Sequence, residues 1–154
     1  MIKLSKTIVL FVAALAMVPV WAQDNMEILR DKIKADKKLV VAVNMGFSES
    51  EAKGFWPVYE AYQRDLQTLN KRLGKLVLTY ADAYNQGPVT NETAKKLLRE
   101  LLDVEKDELK LKRAYVPKLE KVLPEWKVAR YMQIENKIRA IVKYELAAEV
   151  PLVE

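Results

Sequence analysis

Glu100, Asp103, Glu105, Asp107 and Glu108 put five carboxylates in little more than two helical turns. On a helix Glu100, Asp103 and Asp107 share one face, a spacing at which their oxygens could gather a hard cation such as calcium. Paired carboxylates also serve glycoside hydrolysis, but there they must converge across a cleft. The same run holds Lys106, Lys110 and Lys112, and interspersed charge of both signs is ordinarily a solvated face. The rest of the inventory is short. The chain has no His and no Cys. That excludes a Ser-His-Asp triad, a Cys nucleophile and the usual zinc sites. It also excludes the Glu-x-x-His pairs of a di-iron helical bundle. No catalytic, cofactor or metal site is expected, which leaves binding through a surface.

Two residue classes could make such a surface. One is aromatic. The stretch Lys53-Gly-Phe-Trp-Pro-Val-Tyr-Glu-Ala-Tyr62 crowds Phe55, Trp56, Tyr59 and Tyr62 together. Phe55, Tyr59 and Tyr62 recur at helical spacing and read as core. Trp56 falls off that row. It and Trp126 are the better candidates for contact with a partner, with Phe55 and Tyr59 beside them, because interfaces favour Trp, Tyr and Arg. The other class is basic. Lys71, Arg72, Lys75, Lys110, Lys112, Arg113, Lys118 and Lys121 could line one face. Long-range attraction would bring an acidic segment in and apolar contact would retain it. The plain alternative is an ordinary solubilising surface.

Helices must position these groups, and four Gly and six Pro mark most of the boundaries. A first helix is expected over 26–43, with Ile28, Leu29, Ile33, Leu39 and Val40 inward and Gly46 as its stop. Ser48-Glu-Ser-Glu51 is a capping box that opens a second, long helix to about Asn85. Phe55, Tyr59, Tyr62, Leu66, Leu69, Leu73, Leu76, Tyr80 and Ala83 follow in alternating steps of four and three, a coiled-coil seam. At ~37 residues this helix would span roughly 55 Å, which implies an elongated molecule. Pro57 is expected to kink it within one preceding turn, with Gly54 giving room. Thr90 or Asn91 opens a third helix, in which Glu108 interrupts an apolar row and Leu98, Leu102 and Leu109 form a second row. Pro117 is expected to bend or break that helix after Tyr115 or Val116. Leu123-Pro124 opens a fourth with Pro at its first position, carrying Tyr131, Ile134, Ile138, Ile141 and Ala148 inward until Pro151. The apolar tail Leu152-Val-Glu154 is expected to dock. No stretch alternates with period two, so the chain reads as all-α: four helices in an elongated antiparallel bundle or curved cradle, with proline kinks.

The N-terminus reads as an export signal. Lys3 and Lys6 precede the apolar run Thr7–Val20, and Val20-Trp21-Ala22 offers a cleavage site after Ala22. The run is shorter than the roughly 20 residues that span a bilayer. Residues 1–22 are therefore expected to be removed and 23–154 to form one helical domain in the periplasm. The mature chain would have no stable membrane span. Cleavage removes two lysines and no acid, lowering the formal net charge of +5 by two. A mildly basic surface of mixed sign is not a nucleic-acid footprint. Without cysteine, stability must come from a core.

The starts of helices two and four resemble each other. Phe47-Ser48-Glu49 lies over Leu123-Pro124-Glu125, Phe55 over Tyr131, Val58 over Ile134 and Tyr62 over Ile138. In layout, residues 25–145 resemble the periplasmic Spy/CpxP-like proteins, small exported helical proteins in which two LTxxQ motifs each open a helix. The matching pieces are Phe47-Ser-Glu-Ser-Glu51 and Leu123-Pro-Glu-Trp-Lys127. The motif's Thr is Ser48 in one and Pro124 in the other, and its Gln is Glu51 and Lys127. Gln133-Ile-Glu-Asn-Lys137 and the C-terminal string from Glu145 are similar to exported proteins grouped near that family. The resemblance implies a thin curved cradle, usually a homodimer. It would act as an ATP-independent chaperone for unfolded envelope proteins, or as a stress-response modulator that binds a sensor. The alternative is a structural helical adaptor on one fixed envelope partner.

Overall fold

The computed structural model describes residues 36–153, which form four helices and no strand. The expected signal segment, its cleavage at Ala22 and the inward positions Ile28, Leu29 and Ile33 lie outside the described residues. The first helix, α1, is described over 36–45 and ends at Gly46, whose φ of 54° is the left-handed stop a glycine supplies without strain. Ser48 then caps α2, Glu49–Gln86. The Glu51 amide donates to Ser48 Oγ, and the Ser48 amide donates to Glu51 Oε2 at 2.7 Å, closing the capping box. Gly87, with φ 140°, turns the chain. Thr90 caps α3, Asn91–Glu120, by accepting from the Thr93 amide. After a tight turn α4 runs over Glu125–Glu149.

Cross-helix contacts define the topology. Tyr62 meets Tyr115 near the end of α3, and Arg72 reaches Glu100 and Asp107 nearer its start, so α2 and α3 are antiparallel. Next, α4 runs alongside α2 in the same direction. Glu51 pairs with Lys127, which lies 76 positions on, and Phe55 packs on Tyr131 at the same separation. The two similar helix starts thus meet in register. Finally, α1 lies antiparallel to α2, with Lys37 on Gln63 and Lys38 on Glu60.

The core is concentrated where all four helices meet. Val41, Met45, Phe55, Tyr59, Tyr62, Leu66, Tyr115, Leu119, Leu123, Val128 and Tyr131 form one cluster. Its aromatic rings pack edge-on or tilted, as at Phe55–Tyr131 (5.0 Å) and Tyr62–Tyr115 (5.2 Å), which suits their quadrupoles. The seam of α2 is as expected through Leu73. Beyond it Val77 and Ala81 are buried, while Leu76 and Ala83 are only half-buried. A straight helix drifts by ~20° per heptad against a strict seven-residue repeat, so the inward face moves on by one residue.

Several expected orientations are corrected. Val41 and Met45 point inward from α1, whereas Leu39 and Val40 are exposed. That phase puts Lys37, one turn before Val41, on the inner face where its carboxylate lies. On α4, Ile134 and Ile138 are half-buried, and Ile141 and Ala148 are exposed. Lys127, Val128, Tyr131 and Glu135 take the inner face, because the charges there have partners on other helices. Pro117 does not end α3, which continues to Glu120. Pro124 is the N-cap of α4, one position before the first helical residue. Pro151 docks through its backbone, its carbonyl accepting from the Tyr80 hydroxyl at 2.8 Å, while Leu152 and Val153 stay exposed.

Helix α2 runs on through Pro57 without ending there. Gly54 gives not slack but close approach: a Cβ there would lie 2.9 Å from Cβ of Val122 in the α3–α4 turn. A Gly54→Ala substitution gains up to ~1 kcal/mol of helix propensity, but overpacking against a stiff β-branched neighbour costs about 1–3 kcal/mol. Gly54→Ala should therefore lower the melting temperature, and adding Val122→Ala should recover part of the loss. A Gly54→Ala chain as stable as the parent would show that this approach is loose.

Candidate functional site

The interior contains charge, and each charge is met from another helix. Lys127 of α4 is buried, donating to Glu51 Oε2 at 2.6 Å and to the Gly46 carbonyl at 2.8 Å. Two turns on, Glu135 is 3% exposed. It accepts from Lys37 of α1 at 2.8 Å, from Gln63 of α2 at 2.8 Å and from the Tyr131 hydroxyl at 3.0 Å. One further turn on, the Arg139 guanidinium places two N–H groups on Glu108 Oε2 of α3, at 3.0 and 2.7 Å, and a third on Asn70 of α2. Lys112 holds the other Glu108 oxygen at 2.9 Å. Among the described residues no buried side-chain polar atom lacks a hydrogen-bond partner.

This wiring sets the ionisation states. Burial pushes the Glu108 carboxyl up, but hydrogen bonds and charge from Arg139 and Lys112 outweigh it and hold it at about 2. The hydrogen bond from Lys127, with the Ser48 amide, holds Glu51 below the usual carboxylate range. Burial and then the charge of Glu135 push the Tyr131 hydroxyl far up, so it stays a donor. Burial and the hydrogen bond to Asp65 push Tyr115 up to about 12.

The acidic run is therefore not an independent cluster. Glu100 and Asp107 share Arg72 of α2, with Asp107 at 2.6 Å, and Glu108 belongs to Arg139. These partners come from other helices and not only from the neighbouring lysines. No group of three or more acids among the described residues is placed to hold a metal ion.

The expected contact residues divide. Phe55 and Tyr59 are core. Trp56 is half-buried, edge-on to Phe47 (5.8 Å), Phe55 (5.1 Å) and Tyr59 (5.3 Å), with the Lys38 ammonium 4.9 Å from its ring centre. Packing therefore explains it, contrary to the expectation of an exposed anchor. Arg72 and Lys112 are occupied by ion pairs inside the molecule. Lys71, Lys75 and Arg113 are exposed, and so is Trp126 at 58%, with the Lys127 ammonium 5.3 Å from its ring. Of the motif positions, Ser48 and Glu51 cap α2, Phe47 packs on Phe55 at 4.5 Å, Leu123 is core and Pro124 is exposed at the start of α4. Lys127 is buried on Glu51, so the fifth residues of the two similar helix-opening stretches pair with each other.

What residue pattern alone did not single out as a surface is the outer side of α3 and α4. Leu98, Leu102 and Leu109 are 57, 55 and 52% exposed. They lie along one side of α3, with exposed Glu105 between Leu102 and Leu109, flanked by exposed Lys95, Lys106 and Arg113. The fourth helix exposes Trp126, Ile141 and Tyr144. Three cross-links, Lys112–Asn136, Glu108–Arg139 and Glu105–Lys143, hold α3 and α4 side by side. No helix among the described residues is long and apolar enough to cross a membrane.

Two outcomes check the ionic interior. Glu108 titrates near 4.5 when unfolded and near 2 when folded. Its depressed value means that its contribution is complete above the unfolded pKa and is lost as pH falls through the folded one. Urea unfolding should therefore show stability declining from about pH 4.5 towards 2, with a shallower decline in Glu108→Gln. Arg139→Leu strands a buried carboxylate and should cost about 3 kcal/mol at neutral pH, with much of that regained in Arg139→Leu/Glu108→Leu. A single substitution without measurable cost would mean that Lys112 and Lys143 satisfy Glu108 without Arg139.

No protein-family model matches the chain, and neither a curated protein nor a solved structure shows significant similarity to it.

Proposed function

We propose that the protein is an exported, non-enzymatic binding protein. In this reading it acts without ATP as a Spy/CpxP-like chaperone or envelope-stress modulator and holds unfolded polypeptide on a helical surface. The observation that carries the reading is the leucine row of α3. Three leucines stay more than half exposed over about three helical turns, with cations along one flank. Scattered surface leucines are ordinary, but an aligned row rimmed by charge is the composition of a contact surface. Apolar segments of an unfolded chain would lie along the row, and acidic segments would be drawn to Lys95, Lys106 and Arg113. The lack of His and Cys and the occupation of the acidic run by Arg72 and Arg139 support a binding role over a catalytic one.

A structural adaptor for one fixed envelope partner is the second reading. Leu39, Val40 and Val43 favour it, since they form a separate apolar group on the outer side of α1, 62, 44 and 74% exposed. An aggregation assay with a chemically denatured client tests the first reading. Stoichiometric protein should suppress light scattering, and Leu98→Gln/Leu102→Gln/Leu109→Gln should lose most of that suppression while keeping its helical circular dichroism. No suppression at any ratio or salt concentration would remove the chaperone reading. Recovery of one stoichiometric partner by affinity capture, dependent on Val43, would favour the adaptor.

A further inference from the structure

The outer side of α4 has a character of its own. Trp126, Arg130, Gln133, Lys137, Ile141 and Tyr144 follow one another in steps of three or four residues, and all are exposed. That spacing makes a single straight row along the helix. From Trp126 to Tyr144 it is roughly 27 Å long, and no proline interrupts it. The row contains no carboxylate. The acids of α4 lie elsewhere or at its margin: Glu135 is buried, Glu125 and Glu149 fall off the row, and Glu145, four residues after Ile141, borders only its C-terminal end.

The cations of α4 separate in the same way. Lys127, Arg139 and Lys143 turn towards the other helices and are paired with Glu51, Glu108 and Glu105. Arg130 and Lys137 face outward and form no ion pair with any described residue. Aromatic rings with polar tips stand near the two ends, Trp126 at 58% and Tyr144 at 75% exposure, with Ile141 at 63% between them and no exposed acid one turn from Arg130 or Lys137.

We propose that this row is a docking face for an anionic lipid surface, on which α4 lies flat without inserting across it. Trp and Tyr are the side chains whose apolar bodies and polar tips suit the headgroup level of a bilayer. Ile141 enters the acyl boundary between them, and Arg130 and Lys137 meet lipid phosphates. The shape favours lipid over polypeptide. A single convex helix offers no groove in which an extended chain could bury both its sides, whereas a flat surface meets such a row along its whole length. The leucine row of α3 lies on a different helix and does not take part.

Vesicle sedimentation tests this with the chain as recovered after export. The protein should pellet with vesicles of phosphatidylglycerol and phosphatidylcholine in equal parts at low salt and stay in the supernatant with phosphatidylcholine alone. Arg130→Gln/Lys137→Gln should weaken that partition by roughly tenfold or more. Lys71→Gln/Lys75→Gln, the same charge change on exposed positions of α2, should leave it within about twofold of the parent. Trp126→Ser should weaken it as well, and the emission of Trp126 should shift to the blue on binding. Failure to pellet with anionic vesicles at low salt overturns the proposal, as does equal weakening by the two double variants. Loss of denatured-client capture in Arg130→Gln/Lys137→Gln without any vesicle binding overturns it in favour of a polypeptide surface.

Discussion

The fold depends on charges of α4 that are largely withdrawn from water. Lys127, Glu135 and Arg139 all face inward, and each is met from another helix: by Glu51 of α2, by Lys37 of α1 and Gln63 of α2, and by Glu108 of α3 with Asn70 of α2. An unpaired charge at that depth is far more costly than a misplaced methyl group. Apolar packing alone would let α4 slide or rotate, because this helix carries Ile and Val on several sides. The pairs do not allow it. A shift of one residue turns all three away from their partners, so a few polar contacts specify the register of a helix whose hydrophobic pattern does not.

That specification leaves the molecule uneven along its length. At one end four helices enclose edge-on and tilted aromatic rings, and the side chains of Tyr62, Phe55 and Tyr131 are almost fully buried. Towards the other end α2 and α3 pack on Leu69, Leu73, Val77 and Ala81, with the C-terminal turns of α4 held by Lys143 and by the Tyr80–Pro151 hydrogen bond. The leucines exposed on α3 lie along this second part.

Helices and their caps were legible in the sequence because they are local. Ser48 with Glu51, Gly46, and Thr90 each act within a few residues of where they sit. The seam of α2 was legible through Leu73 for the same reason. What failed was the facing of α1 and α4. A pattern reading sends charged residues outward and apolar ones inward, and here Lys127, Glu135 and Glu108 are buried while Leu39, Val43, Ile141 and Leu98 are not. Only the partner helices decide that, and they are distant in sequence. Glu108 carried the one available sign, as an acid standing in an apolar row. The setting of Trp56 was not legible because Phe47, before α2, and Lys38 of α1 lie against its ring, contacts that spacing along α2 cannot show.

The same constraint accounts for the surface. Once Lys127 and Arg139 are consumed by inward partners, the remaining cations of α4 are left to solvent without acids beside them, since Glu135 is buried and Glu125 belongs to the first turn. Register and outer character are thus two results of one arrangement of charge. A helix that only had to pack could place acids among Arg130, Gln133 and Lys137 to gain pairs along its own exposed face. It does not, and Trp126 and Tyr144 accompany the bare cations instead. Packing inside the molecule gives no reason for that choice, whereas contact with an anionic surface does.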